Sequence, residues 1–215
     1  MTPDLAPGLT PGLTLAQIIA FNLTLLAAMA SPGPAMLLAI RATLTGGRAT
    51  GIATGLGLAT MAAGWTAMAL IGLDTLFRLF PWAYLAMKLA GAAYLLWIAF
   101  HMWRDARTPL DPGQTAAPPK RHAFRSGLLV NLANPKSVLF AASVLVVIFP
   151  GGLSLADKSL IVLNHLLVEV TAYAAFALLL STKPARDGYL RLKPLFDRLA
   201  AAILAALGLR LLLGR

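Results

Sequence analysis

The sequence predicts an all-α integral membrane protein with six transmembrane helices, arranged as two inverted repeats of three helices. Hydrophobic residues make up 59% of the 215 residues and charged residues only 12%, a composition too apolar for an ordinary soluble domain. The apolar residues form runs long enough to cross a bilayer, which takes about 20 residues. Proline interrupts the first and the fourth of these runs, which suggests that helices 1 and 4 are broken at matching places in two repeats.

Span 1 extends from about Leu15 to Ile40 and contains no Asp, Glu, Lys or Arg. Residues 1–14 precede it, repeat Pro-Gly-Leu-Thr in tandem and are expected to form an irregular external lead-in. Four residues interrupt the span: Ser31, Pro32, Gly33 and Pro34. Because proline removes a backbone donor and clashes with the preceding turn, we expect the helix to open here. Lipid cannot satisfy the freed backbone groups, so the break is expected to form one wall of a substrate path, although a packing kink would also explain it.

Spans 2 and 3 complete the first repeat. Span 2 covers about residues 48–74, and small residues recur at every fourth position over 47–67, which favours close packing against a neighbouring helix. Span 3 covers about residues 79–103 and has aromatic residues towards both ends, as expected at membrane interfaces. Residues 104–125 then form the longest polar connection, and we expect it to be a flexible cytoplasmic loop.

The second repeat has the same number of spans. Span 4 covers about residues 126–149, with a break at Asn134-Pro135, and span 5 covers about residues 159–181. A basic loop over residues 182–198 is expected to follow. Span 6, about residues 199–213, is short and is interrupted by Arg210, so its insertion in the bilayer is the least defined.

The predicted domain is a single six-helix unit over residues 15–214, with repeat 1 at about 15–103 and repeat 2 at about 126–214. Because each repeat has an odd number of spans, the two must enter the membrane from opposite sides. Twelve Lys and Arg residues lie in the loops 1–2, 3–4 and 5–6, against four in the other connections and the C-terminal end. The positive-inside rule therefore predicts that these three loops are cytoplasmic and that both termini are external.

The composition also argues against several classes of function. The net charge of +10 would suggest nucleic-acid binding in a soluble chain, but here the basic residues separate apolar runs and serve first as orientation signals. The chain has no cysteine and no His or Asp cluster at metal-ligand spacing, which argues against a redox carrier, a metal centre or a membrane enzyme. We therefore expect no cofactor, no bound metal and no nucleic-acid partner.

Three ionisable residues lie deep in the spans: Lys88, Lys136 and Glu169. A charge at mid-membrane costs about 2.5–3.5 kcal/mol on insertion scales, so each is expected to face the interior, to pair or to change protonation. A lysine can instead extend its ammonium towards the interface, which is an alternative for Lys88.

Span 5 carries a polar stripe. His165, Glu169 and Tyr173 are spaced four residues apart and therefore share one helical face. Burial favours the neutral carboxyl and a nearby ammonium favours the charged one, so Glu169 could take up and release a proton as its surroundings change. This is the proton-coupling hypothesis for the three residues. The alternative is a static ion pair of Glu169 with Lys88 or Lys136 that only orders the bundle.

The two breaks suggest a substrate site. Around the second break lie Asn131, Asn134, Pro135 and Lys136. Freed amides at the start of a half-helix can hold a carboxylate, and freed carbonyls with Asn or Ser side chains can hold an ammonium. These are the two charged groups of an amino acid, although other small polar solutes would also fit.

Several motifs occur in a characteristic order along the chain. They are Ser31-Pro32-Gly33-Pro34, the glycines at the start of span 2, Lys88-Leu89-Ala90-Gly91-Ala92-Ala93-Tyr94-Leu95, Asn131-Leu132-Ala133-Asn134-Pro135-Lys136 and Gly208-Leu209-Arg210-Leu211. With these motifs the chain resembles the lysine exporter (LysE/RhtB) family of bacterial amino-acid efflux permeases. Where relatives often have Asp in span 5, this chain has Glu169. Lys88 and Tyr94 join the expected substrate-binding residues through the family motif.

The resemblance implies a multi-pass protein of the bacterial inner membrane that exports amino acids or related zwitterionic metabolites, driven by the proton motive force. The partners expected are a small-molecule substrate, protons and the lipid bilayer, and a homo-oligomer is compatible with the sequence. The resemblance does not determine which amino acid is exported. Alternatives are export of another small polar solute or a metal cation, and a non-transporting scaffold whose polar residues do not converge.

Overall fold

The computed structural model describes residues 12–30, 34–80, 82–108, 120–149 and 153–213, and within these ranges the chain is helical with no β-strand. Seven α-helices follow in order: α1 Leu15–Ala30, α2 Pro34–Leu79, α3 Trp82–Arg104, α4 Ala123–Leu132, α5 Pro135–Ile148, α6 Leu155–Leu180 and α7 Lys183–Leu213. A short 3₁₀ turn, Lys120–His122, precedes α4. The all-α prediction is confirmed. The predicted lead-in up to residue 11, the residues 31–33 of the first break and the residues 109–119 of the long connection lie outside the described ranges.

Helix α2 contains the last part of predicted span 1 and all of predicted span 2. Its helical path is interrupted at Gly47, whose φ of 80° and ψ of 175° lie in a region that favours glycine. We call residues 34–46 α2a and residues 48–79 α2b. Together, α1 and α2a form predicted span 1, and α2b contains predicted span 2, so the turn predicted between the spans is a one-residue change of direction.

The α4–α5 break has a local explanation in its sequence. Asn134 caps α5, because its side-chain oxygen accepts a hydrogen bond from the Lys136 amide at 3.1 Å. Pro135 occupies the first helical position, where its missing N–H costs nothing and its fixed φ suits the helix. The two helices are bent by 63° relative to each other, so α4 and α5 meet as two half-helices.

Small residues allow α2b to approach two helices closely. A Cβ at Gly55 would overlap the Tyr173 side chain of α6, as the stripe of small residues predicted. On another face, a Cβ at Gly57 would overlap the Phe124 carbonyl of α4, and a Cβ at Gly127 would overlap the Thr54 carbonyl of α2b. The reciprocal pair brings the two backbones into direct contact and fixes α4 against α2b.

Two of the described helices are long and apolar enough to cross a bilayer, namely Pro34–Gly72 and Leu155–Leu180. The bent α4–α5 pair provides a third candidate, and α1 is apolar but shorter. The chain is therefore an integral membrane protein, while the count of six spans stays a prediction.

The C-terminal region corrects the sequence analysis. Residues 183–198, expected to be a basic loop, are the first half of α7, which is helical from Lys183 and includes Pro194. The charged residues do not end the helix, because Lys193 and Asp197 are buried and pair at 2.7 Å, one turn apart. Boundaries elsewhere shift as well: α6 begins at Leu155, after a capping box made by Ser154 and Asp157.

Candidate substrate cavity between the broken helices

A hydrogen bond joins the end of α1 to the start of α5. Lys136 Nζ, at the start of α5, donates to the Ala28 carbonyl in the last turn of α1, at 3.2 Å. In a continuous helix that carbonyl would accept from the amide of residue 32, but residue 32 is a proline and has no N–H. Lys136 therefore supplies the donor that Pro32 lacks.

The second break is compensated in the same way. The Asn131 carbonyl would accept from residue 135, which is also a proline. It accepts instead from Trp65 Nε1 at 3.3 Å and from the Asn134 amide at 3.1 Å. In both places a long side chain from another helix donates to the carbonyl that lies four residues before a proline in the sequence.

Asn131 has a second role through its side chain, which is 2% exposed. Its Nδ2 donates to the Leu58 carbonyl of α2b at 2.6 Å, which fixes the orientation of the amide. Its Oδ1 is buried and has no hydrogen-bond partner among the described residues. A buried acceptor without a donor is costly, so this oxygen is suited to receive a donor from a bound solute.

Helix α6 contributes a chain of hydrogen bonds on its buried face. His165 Nδ1 lies 2.7 Å from the Thr66 hydroxyl of α2b, and His165 Nε2 lies 3.2 Å from Glu169 Oε1. The other carboxylate oxygen, Oε2, is buried without a hydrogen-bond partner in the described part of the chain. The imidazole therefore links the Thr66 hydroxyl to the Glu169 carboxylate in one hydrogen-bonded chain.

Two contacts between α1 and α6 support the imidazole. The Phe21 ring packs edge-on against the His165 ring, with centroids 5.5 Å apart. Asn22 and Asn164 exchange two amide hydrogen bonds, at 2.6 and 3.3 Å. Each amide donates to the oxygen of the other, and this pair fixes the position of α1 along α6 next to His165.

These groups surround one cavity of about 60 Å³, formed by α1, α2, α4, α5 and α6. A single water needs about 10–15 Å³ of such space, so the cavity has room for several waters or for the polar end of a small solute. Its polar lining consists of Asn131, Asn134, Lys136, Ser137, His165, Glu169 and Tyr173. Its apolar lining includes Ala28 and Met29 at the end of α1 and Ala35 and Met36 at the start of α2a.

Six of the residues predicted for the site converge on this cavity: Asn131, Asn134, Lys136, His165, Glu169 and Tyr173. Pro34 and Pro135 begin α2a and α5 beside it. Tyr94 lies behind the wall, where its hydroxyl donates to the Lys136 carbonyl at 3.4 Å. Lys88 is in α3, and its side chain is outside the described atoms. Ser31, Pro32 and Gly33 are also outside the described residues.

Several residues that build the site were not predicted. Trp65 and Thr66 lie within the apolar run of predicted span 2. Trp65 donates to the Asn131 carbonyl, and the Thr66 hydroxyl forms a hydrogen bond with His165 Nδ1. Their polarity within that run is the only signal for them, because their partners are 66 and 99 residues away.

A buried ion pair lies on α7. Lys193 Nζ donates to Asp197 Oδ2 at 2.7 Å and to the Ala106 carbonyl after α3 at 3.2 Å. Both side chains are at most 5% exposed. Lys193 thereby connects the segment after α3 to α7. The two charged residues can be buried because they pair with each other.

Apolar helices around a cavity lined by buried charged and polar side chains are typical of helical membrane proteins that move small solutes. The chain belongs to the LysE type translocator family, whose model matches residues 26–215. In the described part of the chain, no three His, Asp or Glu residues are grouped as metal ligands.

Three relatives indicate the range of the family. The uncharacterized membrane protein YahN of Escherichia coli K12 is 32% identical over 85% of this chain and 82% of its own length. The threonine efflux protein of Escherichia coli K12 is 28% identical over 87% and 93%. The homoserine/homoserine lactone efflux protein of Salmonella typhimurium is 33% identical over 60% of each chain. No solved structure matches the chain significantly.

Proposed function

We propose that the protein exports amino acids, or closely related zwitterionic metabolites, across the bacterial inner membrane. The observation that carries the proposal is that Lys136 and Glu169, on different helices, line one cavity beside the end of α1 and the start of α5. The relatives named as threonine and homoserine efflux proteins support the amino-acid class. A scaffold without transport would have no need to gather these costly groups in one place.

The cavity offers a complementary group for each end of a zwitterion. The substrate carboxylate binds near the Lys136 ammonium and the first-turn amides of α2a, two of whose residues, Ala35 and Met36, line the cavity. The substrate ammonium donates to Asn131 Oδ1 and Glu169 Oε2, two buried acceptors of the cavity lining that have no hydrogen-bond partner among the described residues.

Export is driven by the proton motive force, and Glu169 carries the proton. His165 and Thr66 form a hydrogen-bonded chain that ends at the carboxylate. When Glu169 is ionised it attracts the substrate ammonium, and when it is protonated that attraction is lost and the substrate leaves. Glu169 therefore binds either a proton or the substrate ammonium, but not both at once.

Alternating access follows from the architecture we propose: six spans in two inverted repeats, both termini external, with α1–α2a and α4–α5 as the broken first spans of the two repeats. Half-helices can tilt separately around the fixed junction that Lys136 makes with Ala28. The cavity then opens to the cytoplasm in one state and to the outside in the other.

The proposal is tested by efflux from cells loaded with each amino acid as a dipeptide, with and without a protonophore. Cells that lack the protein provide the baseline, and its amount in the membrane is measured in every strain. We expect efflux of at least one amino acid that the protonophore reduces. Absence of any amino-acid efflux would overturn the substrate class, whereas efflux unaffected by the protonophore would overturn the proton coupling alone.

A further inference from the structure

A second, apolar cavity adjoins the polar one. Its volume is about 190 Å³, three times that of the polar cavity. Met29, Met36 and Tyr173 line both cavities, so these three side chains stand between the two spaces. A molecule with its charged end at Lys136 and Glu169 lies next to the apolar space, and the two flexible methionines can move aside for its side chain.

Aromatic side chains form the far wall of the apolar cavity. Phe176 of α6 packs edge-on against Tyr189 of α7, with ring centroids 5.0 Å apart, and Tyr189 stacks on Phe196 at 6.2 Å. Apart from tyrosine hydroxyls, the lining is hydrocarbon and thioether. Such a surface favours an apolar group and disfavours a hydroxyl, which would lose its hydrogen bonds to water.

The size of this cavity indicates what it can hold. An apolar protein cavity of about 150 Å³ accommodates benzene. At about 190 Å³, this one has room for a phenyl ring or a branched aliphatic group. The two methionines at its entrance adapt their shape to different apolar groups.

We infer that the exported amino acid carries a large apolar side chain, such as that of leucine, methionine or phenylalanine, which occupies the cavity lined by Phe176, Tyr189 and Phe196. The inference rests on the proposed function and specifies its substrate class. It sets this chain apart from the relatives that are named for threonine and homoserine efflux, because the side chains of these two amino acids carry a hydroxyl. The three side chains shared with the polar cavity argue for substrate in this space rather than a lipid chain.

The experiment compares efflux of leucine, methionine and phenylalanine with efflux of threonine from the same dipeptide-loaded cells. We expect the apolar amino acids to be exported at least about tenfold more efficiently, since even one methylene in an apolar pocket is worth about tenfold. Ala172 lines the apolar cavity, and Ala172→Phe fills it. This variant is expected to reduce leucine efflux about tenfold relative to threonine efflux.

Ala175→Phe is the matched control, because Ala175 is on the exposed face of the same helix. It is expected to leave the leucine-to-threonine ratio unchanged. If Ala172→Phe does not reach the membrane, Phe176→Ala enlarges the same cavity and is expected to raise tryptophan efflux relative to leucine.

Threonine export without export of any apolar amino acid would overturn the inference and leave the proposed function intact. If neither Ala172→Phe nor Phe176→Ala changes the relative efflux of the amino acids, the apolar space holds lipid rather than substrate. That result would also overturn the inference. If no amino acid is exported, the proposed function itself fails.

Discussion

Lys136 Nζ donates to the Ala28 carbonyl and so joins the last turn of α1 to the first turn of α5, although the two residues are 108 positions apart in the chain. The bond exists where it does because Pro32 cannot donate to that carbonyl. Trp65 performs the same task at the other break, where Pro135 leaves the Asn131 carbonyl without its usual donor. The end of α1 and the start of α5 thus form one junction, and the polar cavity lies beside it.

Lys136→Met is expected to reduce efflux about 10- to 100-fold, because a hydrogen bond from a charged group is worth about 1.5–3 kcal/mol and the substrate carboxylate loses its partner. Initial efflux rates, normalised to the amount of protein in the membrane, measure the effect. Lys136→Arg keeps the charge and should retain part of the activity. Lys183→Met, at an exposed position at the start of α7, should have no effect. Normal efflux by Lys136→Met would exclude this lysine from the site.

Glu169→Gln is expected to abolish proton-driven efflux, because the amide cannot ionise. Exchange of labelled for unlabelled substrate across vesicles should continue, since exchange needs no proton movement. Glu169→Asp should retain coupled efflux at a reduced rate. A purely structural role for Glu169 predicts the opposite pattern for Glu169→Gln, with protonophore-sensitive efflux preserved in a stably folded protein.

Gly127→Ala is expected to destabilise the protein by at least about 1 kcal/mol, because the added Cβ would overlap the Thr54 carbonyl and force α4 away from α2b. Thermal unfolding in detergent measures the change. Gly188→Ala is the control, since a Cβ at that helical position meets no atom within 4 Å. It should be neutral or stabilising by about 0.5–1 kcal/mol. Equal unfolding temperatures for the two variants would contradict the close helix crossing.

Lys193→Met is expected to cost about 3–5 kcal/mol of stability, because it leaves the Asp197 carboxylate buried without its cation. Adding Asp197→Leu to the same chain should recover most of the loss, since the second substitution removes the unpaired charge. A double-mutant cycle of unfolding free energies gives the interaction. Additive losses in the cycle would show that the two side chains do not interact.

The sequence by itself determined the membrane character, the approximate positions of most helices and six residues of the polar cavity. These features depend on local chemistry. A charged side chain is costly in lipid wherever it occurs, a proline has no N–H, and His165, Glu169 and Tyr173 share a face because a helix repeats every 3.6 residues.

The tertiary structure alone decided which distant groups satisfy one another. Thr66 meets His165, Trp65 meets Asn131, and residues 183–198 become helical because Lys193 can be buried beside Asp197 and the Ala106 carbonyl. The apolar cavity is likewise formed by side chains from α1, α2, α6 and α7, whose adjacency no spacing in the chain reveals. The local sequence shows which groups require a hydrogen-bond or ion-pair partner, whereas only the packing of the helices determines which residue is that partner.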